Sequence, residues 1–174
     1  GRTRRVEQIV ADRTTDLRHE IQERRRAETA LRESELRWRA IVDHLPVGVV
    51  YTDLDGRIRE TNPRLCRMLG TDADMLGQRT LDQLALAGPH GTVRALAAQL
   101  GSQRELVQQR LQLRHADGHP VEVELVLGLL RDAQGQPRRL LGVVEDITEH
   151  LRLAQAERAR ENAEAASRAK SEFL

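Results

Sequence analysis

Aromatic side chains are nearly missing from this chain: Trp38, Tyr51 and Phe173 are the whole set among 174 residues. Three scattered rings cannot build the stacking platform that single-stranded nucleic acid needs. Net charge is missing as well. The 28 Lys and Arg against 27 Asp and Glu leave +1 with the signs interspersed, which is no electrostatic footprint for nucleic acid. Nucleic acid is therefore excluded as a partner. The single cysteine, Cys66, rules out an internal disulfide and a cysteine-based zinc site, and it fits a reducing compartment. No apolar run approaches the ~18–20 residues that span a bilayer. No basic stretch followed by an apolar one opens the chain, so neither a membrane span nor a secretory signal is expected here.

What is present divides the chain in three. Charged residues at 32% with hydrophobics at 39% suit long polar helices joined to a modest globular part. Residues 1–40 hold no Pro and no Gly after Gly1. Val10, Leu17, Leu31 and Trp38 share one heptad position, interrupted by Arg24, and Ile21 fills the complementary one. So thin a stripe predicts a helix that pairs with a copy of itself as a coiled coil. Residues 147–174 again lack Gly and Pro. There Ala156, Ala159, Ala163, Ala166, Lys170 and Phe173 form an Ala-rich seam, with Ile147 and Leu151 out of phase. An alanine seam makes a close but weak pairing, able to change packing at small cost.

Residues 41–146 have the texture of a domain. Residues 47–52 and 57–61 read as strands joined at Asp55-Gly56. Asn62-Pro63 starts a helix that stops at Gly70. A second runs Asp72–Leu76 to Gly77, and Thr80 with Gln83 is a capping box for a third. The fourth and most regular is expected at Thr92–Leu100. Leu111 and Leu113, then Val121 to Leu127 after Asp117-Gly118, then residues 139–145 after Gln134-Gly135, alternate as strands. This order predicts an α+β fold, with a five-stranded antiparallel sheet carrying short helices on one face, flanked by long N- and C-terminal helices.

Several short motifs recur in an order that resembles the PAS domain, the small sensor module of bacterial signalling proteins. They are Glu35-Leu-Arg-Trp38-Arg39, Leu45-Pro46-Val47-Gly48-Val49, Asp53-Leu-Asp-Gly56-Arg-Ile58 and Asn62-Pro63. Leu69-Gly70, Met75-Leu76-Gly77, Asp117-Gly118 and Asp146-Ile147-Thr148 complete the set. The resemblance covers residues 35–149, with Trp38 where Phe or Tyr is usual. It implies that Trp38, Asp146 and Thr148 relay signals, the last two coupling the sheet to the outgoing helix. From the residues themselves, the Asp146 and Thr148 oxygens are placed to cap that helix.

Residues 6–17 resemble the signalling linker helix that follows the last membrane helix of membrane-bound or hybrid sensor histidine kinases. Ser167-Arg-Ala-Lys170-Ser-Glu-Phe173-Leu174 resembles the run into their dimerisation and phosphotransfer helices. That similarity implies a cytoplasmic segment of an inner-membrane protein, reaching the membrane only through an upstream segment. Downstream dimerisation and kinase domains would follow in the same chain, and two chains would pair through parallel coils. No catalytic centre is expected within these residues. A structural PAS dimerisation module without ligand, or the sensor of a diguanylate cyclase, stands as the alternative.

Bland readings are preferred for most candidate chemistry. Cys66 precedes Gly70 and lacks the Asn and Gln neighbours a flavin needs, so it reads as a small core thiol. Haem needs an inward His on the fourth helix, which has none, His90 preceding it. His115 and His119 flank a turn with no third ligand evident, so no metal is expected. No cofactor is predicted. A small apolar ligand is left open, lined by Val49, Tyr51, Leu69, Leu84, Leu96, Leu113, Val123, Leu125 and Val143, with the Tyr51 hydroxyl as polar handle. The competing expectation is that these side chains simply fill the core.

Overall fold

The computed structural model describes residues 1–86, 92–101 and 104–174; His90 lies outside them. The chain divides into two units, Gly1–Val42 and Asp43–Leu174. One helix, α1 (Arg2–His44), carries the first, since no Gly or Pro interrupts it. Its apolar stripe has no cover: Val6, Val10, Leu17, Ile21 and Leu31 are each at least half exposed, and Trp38 is 58% exposed.

The second unit holds β1 (Gly48–Thr52), β2 (Ile58–Thr61), α2 (Pro63–Leu69), α3 (Ala73–Gly77), α4 (Leu81–Leu84) and α5 (Val93–Ala97). After these come β3 (Leu106–Arg114), β4 (Pro120–Arg131), β5 (Pro137–Asp146) and α6 (Thr148–Glu172). The strands form one sheet in the order β2-β1-β5-β4-β3, antiparallel throughout. The predicted fold class is the observed one.

Each short helix opens on a polar side chain that accepts a free N–H. Asn62 takes that of Leu65, Asp72 that of Met75 and Thr92 that of Ala95, while Thr80 and Gln83 form the capping box. Two boundaries differ from expectation. α5 stops at Ala97, because Gln99 and Leu100 donate three residues back, to Leu96 and Ala97, which tightens the last turn. β3 begins at Leu106, well before Leu111. Gln109 stands between Val107 and Leu111 on the inward side and hides the alternation.

One face of the sheet packs on the helices. Val50, Leu111, Leu113, Val123, Leu125, Leu127, Leu140 and Val144 meet Leu65, Leu69, Leu76, Leu84 and Leu96 in a single buried cluster. Three hairpins close with the same five-residue turn, over residues 53–57, 115–119 and 132–136. In each, the first N–H bonds the fifth carbonyl and the glycine N–H bonds the first carbonyl, at 2.9–3.1 Å. Gly56, Gly118 and Gly135 take φ of 82°, 97° and 78°, the left-handed position that such a turn requires.

Candidate functional site

The sheet passes into α6 through a continued ladder rather than a loop. β5 pairs with β4 as far as Asp146, which faces Val123. One step beyond, the Ile147 N–H donates to the Glu122 carbonyl at 2.9 Å. The Glu122 N–H donates to the Thr148 hydroxyl at 3.1 Å. A side-chain oxygen thus stands where the next strand carbonyl would, and it belongs to the first residue of the helix.

Asp146 accepts the Thr148 N–H at 2.9 Å, satisfying one of the donors a helix start leaves free. Thr148 therefore does not cap α6, as its sequence position suggests; its hydroxyl holds β4 instead. Glu149 follows in the first turn, where a carboxylate favours the helix dipole. Arg152 grips it with two bonds of 2.8 and 2.7 Å. That fork outweighs partial desolvation and holds the Glu149 carboxyl below its usual range. The out-of-phase pair from the seam also finds its place: Ile147 is buried, and the Leu151 N–H bonds its carbonyl at 2.9 Å. Beyond them α6 presents its alanine seam to solvent, and Phe173, 94% exposed, follows its last residue.

At the opposite end of β5 lies a cleft of about 400 Å³. Leu54 and Gly56 of the β1–β2 turn, Leu81 of α4, Val93 and Ala97 of α5 and Leu140 of β5 supply much of its wall. Asp55, Asp82 and Arg94 add charge, and Asp82 accepts the Arg94 N–H at 3.1 Å, fastening α5 to α4. Among the described residues that line it there is no aromatic ring and no Asn or Gln.

None of the nine residues expected to line a pocket borders this cleft. Leu69, Leu84, Leu96, Leu113, Val123 and Leu125 lie in the packed cluster. Val49, Tyr51 and Val143 lie on the other face of the sheet, which corrects their assignment. Val50 pairs with Gly142 and meets the cluster, so its neighbours Val49 and Tyr51, opposite Val143 and Leu141, point away from the helices. The Tyr51 hydroxyl is consequently no handle for a ligand between sheet and helices. Cys66 lies on α2 with Sγ 3.6 Å from the Thr61 hydroxyl. The expected lack of a third ligand beside His115 and His119 also fails, for Asp117 brings a carboxylate oxygen to both rings.

The comparisons agree with this architecture. A family profile described as "PAS fold" matches residues 42–152. The C4-dicarboxylate transport sensor protein DctS of Rhodobacter capsulatus is 31% identical over 88% of this chain and 23% of its own length. Sensor histidine kinase TmoS of Ectopseudomonas mendocina is 26% identical over 81% of this chain and 14% of its own. The chain thus spans less than a quarter of these relatives. The crystal structure of the PAS domain of an HTR-like protein from Haloarcula marismortui superposes with a TM-score of 0.61. It is 25% identical and covers 71% of this chain and 99% of that one.

Proposed function

The chain belongs to the PAS fold family, and from that premise we propose that it is the sensing and relay segment of a dimeric sensor histidine kinase. Its work is mechanical. Occupation of the cleft by a small, mainly aliphatic ligand, or movement of α1, alters how the sheet holds the first turn of α6. The Ala-rich face of α6 then passes a rotation or register change to kinase domains further along the same polypeptide. Two copies pair in parallel through the exposed stripes of α1 and α6. The segment works in the cytoplasm of a protein anchored in the inner membrane outside these residues. No described helix is itself long and apolar enough to cross a membrane.

The observation that carries this reading is the Glu122–Thr148 bond, through which sheet and outgoing helix share one hydrogen-bond ladder. β5 links the two ends: from Leu140 at the cleft to Asp146 at the junction is about 20 Å of strand. Relatives named as sensor proteins support the kinase assignment. Replacing Asp146 by Ala in the full-length kinase should change basal autophosphorylation. Unchanged basal and stimulated activity would remove the junction from the relay.

A second reading, a dimerisation module that binds nothing, draws on how completely the interior is filled. Leu65, Leu69, Leu76, Leu84 and Leu127 are all under 2% exposed. Native mass spectrometry of the purified chain and thermal shifts against a metabolite library separate the two. A ligand that stabilises the wild type but not Ala97→Phe, which fills the cleft, selects the sensor.

A further inference from the structure

The β3–β4 hairpin tip gathers two imidazoles and a carboxylate whose ligand atoms lie within 4.8 Å of one another. The His115 Nδ1 lies 3.0 Å and the His119 Nδ1 2.5 Å from the same oxygen, Oδ1 of Asp117. The two rings stack with centroids 4.2 Å apart and planes at 24°, and the oxygen they share puts both Nδ1 atoms on the same side of the pair. Residues 115 and 119 face one another across the mouth of the turn, because the His115 N–H bonds the His119 carbonyl.

The requirements of the turn do not explain this set. Its two sister turns have the same backbone and use one Asp at the first position. Asp53 accepts the N–H of Asp55 and Arg57 at 3.1 and 2.9 Å, and Asp132 accepts those of Gln134 and Gln136 at 3.0 and 2.9 Å. Arg59 and Arg138 close those carboxylates. Here the first position is His115, which takes the third N–H in a longer bond of 3.3 Å. The carboxylate has moved to the third position, where it accepts the His119 N–H at 3.1 Å. Neither sister turn has an imidazole at the fifth position, so the His119 ring serves no turn function shared with them.

We propose that His115, Asp117 and His119 form a three-ligand site for a first-row divalent cation of the zinc, nickel or copper class. Imidazole nitrogen suits these ions, whereas calcium and magnesium favour all-oxygen shells. Two ligands about 2.05 Å from a tetrahedral zinc lie about 3.3 Å apart. The His115–Asp117 spacing is within a few tenths of that, and the ion would take the Nδ1 lone pair that otherwise accepts the Asp117 N–H. The His119–Asp117 spacing opens to it by rotation of two side chains that are each more than half exposed. Three protein ligands leave a fourth position for water or a group from another molecule. The ion would also fasten the hairpin to α2, since the Ala116 N–H bonds the Leu69 carbonyl at 2.8 Å and the His115 ring rests against Gly70.

The test is calorimetric titration of the untagged, chelator-stripped chain with zinc chloride, and with magnesium chloride as comparison. Zinc should saturate at one ion per chain with no matching response to magnesium. His119→Ala should weaken binding at least about tenfold, the lower end of what loss of a supporting group around a metal costs. His150→Ala should leave it unchanged. Cobalt titration of the wild type should give a visible ligand-field band, a readout that needs no variant to fold. Equal zinc affinity in wild type and a His115→Ala, His119→Ala double variant overturns the site, as does a colourless cobalt titration or an equal response to magnesium.

Discussion

Removing the Thr148 hydroxyl is the sharpest test of the junction. Thr148→Val keeps the shape of the side chain and deletes the acceptor of the Glu122 N–H. The return bond, from the hydroxyl to the Glu122 carbonyl, is 3.5 Å long and contributes little at that distance. The loss is then one neutral hydrogen bond, about 1 kcal/mol. Asp146→Ala deletes the cap on the Thr148 N–H, also about 1 kcal/mol. Each variant should make the first turn of α6 open roughly fivefold more often. Both bonds end on Thr148, so the double variant should fall short of the roughly 30-fold that about 2 kcal/mol would give. Native-state hydrogen exchange at the Leu151 amide, which bonds Ile147, reads this directly. Thr148→Ser should exchange like the wild type. Unchanged Leu151 exchange in Thr148→Val refutes the reasoning. So does an equal rise in the β1–β2 hairpin, which would mean global destabilisation.

Asn62 should prove costlier than an ordinary helix cap. It is 2% exposed, its oxygen accepts the N–H of Val49 and Leu65, and its amide donates to the Val47 carbonyl. Asn62→Ala should cost about 3 kcal/mol by urea denaturation, cap loss plus an orphaned buried N–H; a loss near 0.5 kcal/mol would show that water replaces these bonds. Gly142→Ala places a Cβ 2.8 Å from Val50 Cγ1 and should cost about 1–3 kcal/mol by the same assay. The β4–β5 turn should loosen in acid. The Gln136 N–H, with Arg138 and the Gln134 N–H, holds the Asp132 carboxyl below its ordinary value against some desolvation. Its contribution is therefore complete above the unfolded carboxyl pKa and is lost as pH falls through the lower folded one. The Gln136 amide shift followed by NMR should report that step in the wild type and lose it in Asp132→Asn.

Which face a residue takes was legible only where polarity alternates. On β4, Glu122 and Glu124 separate Val121, Val123 and Leu125, so the inward set follows from the sequence and the structure agrees. β1 and β5 offer no such marker. Val49-Val50-Tyr51 and Leu140-Leu141-Gly142-Val143-Val144 are continuous apolar runs, and a shift of one residue reverses every assignment. On such runs Val49 and Val143 read inward as readily as outward, and Tyr51 goes with Val49. The caps and turns were legible because their chemistry is local: an Asn, Asp or Thr answers donors two or three residues away. The second task of Asn62, on β1, was not, since that partner is 13 residues distant. The cleft was invisible for the same reason, being assembled from a turn, two short helices and two strand ends.

The corrected faces change where a signal can enter. Had Val49, Tyr51 and Val143 lined an internal pocket, a ligand there would have pressed on the middle of the sheet, on the β1–β5 pair rather than on β4 and β5. The cleft touches β5 only near its beginning, at Leu140, and β4 near its end, at Leu129. These two residues pair across the ladder, and at the far end of that ladder Glu122 of β4 holds Ile147 and Thr148, where β5 passes into α6. A ligand wedging Leu129 from Leu140 would therefore twist one strand pair whose other end holds α6. Shortening the lever should separate the effects: Gly142→Ala strains β5 between the two ends and should uncouple ligand binding from α6 exchange more than it weakens binding. If Gly142→Ala lowers affinity and leaves the ligand-induced change at Leu151 intact, β5 is not the connecting element.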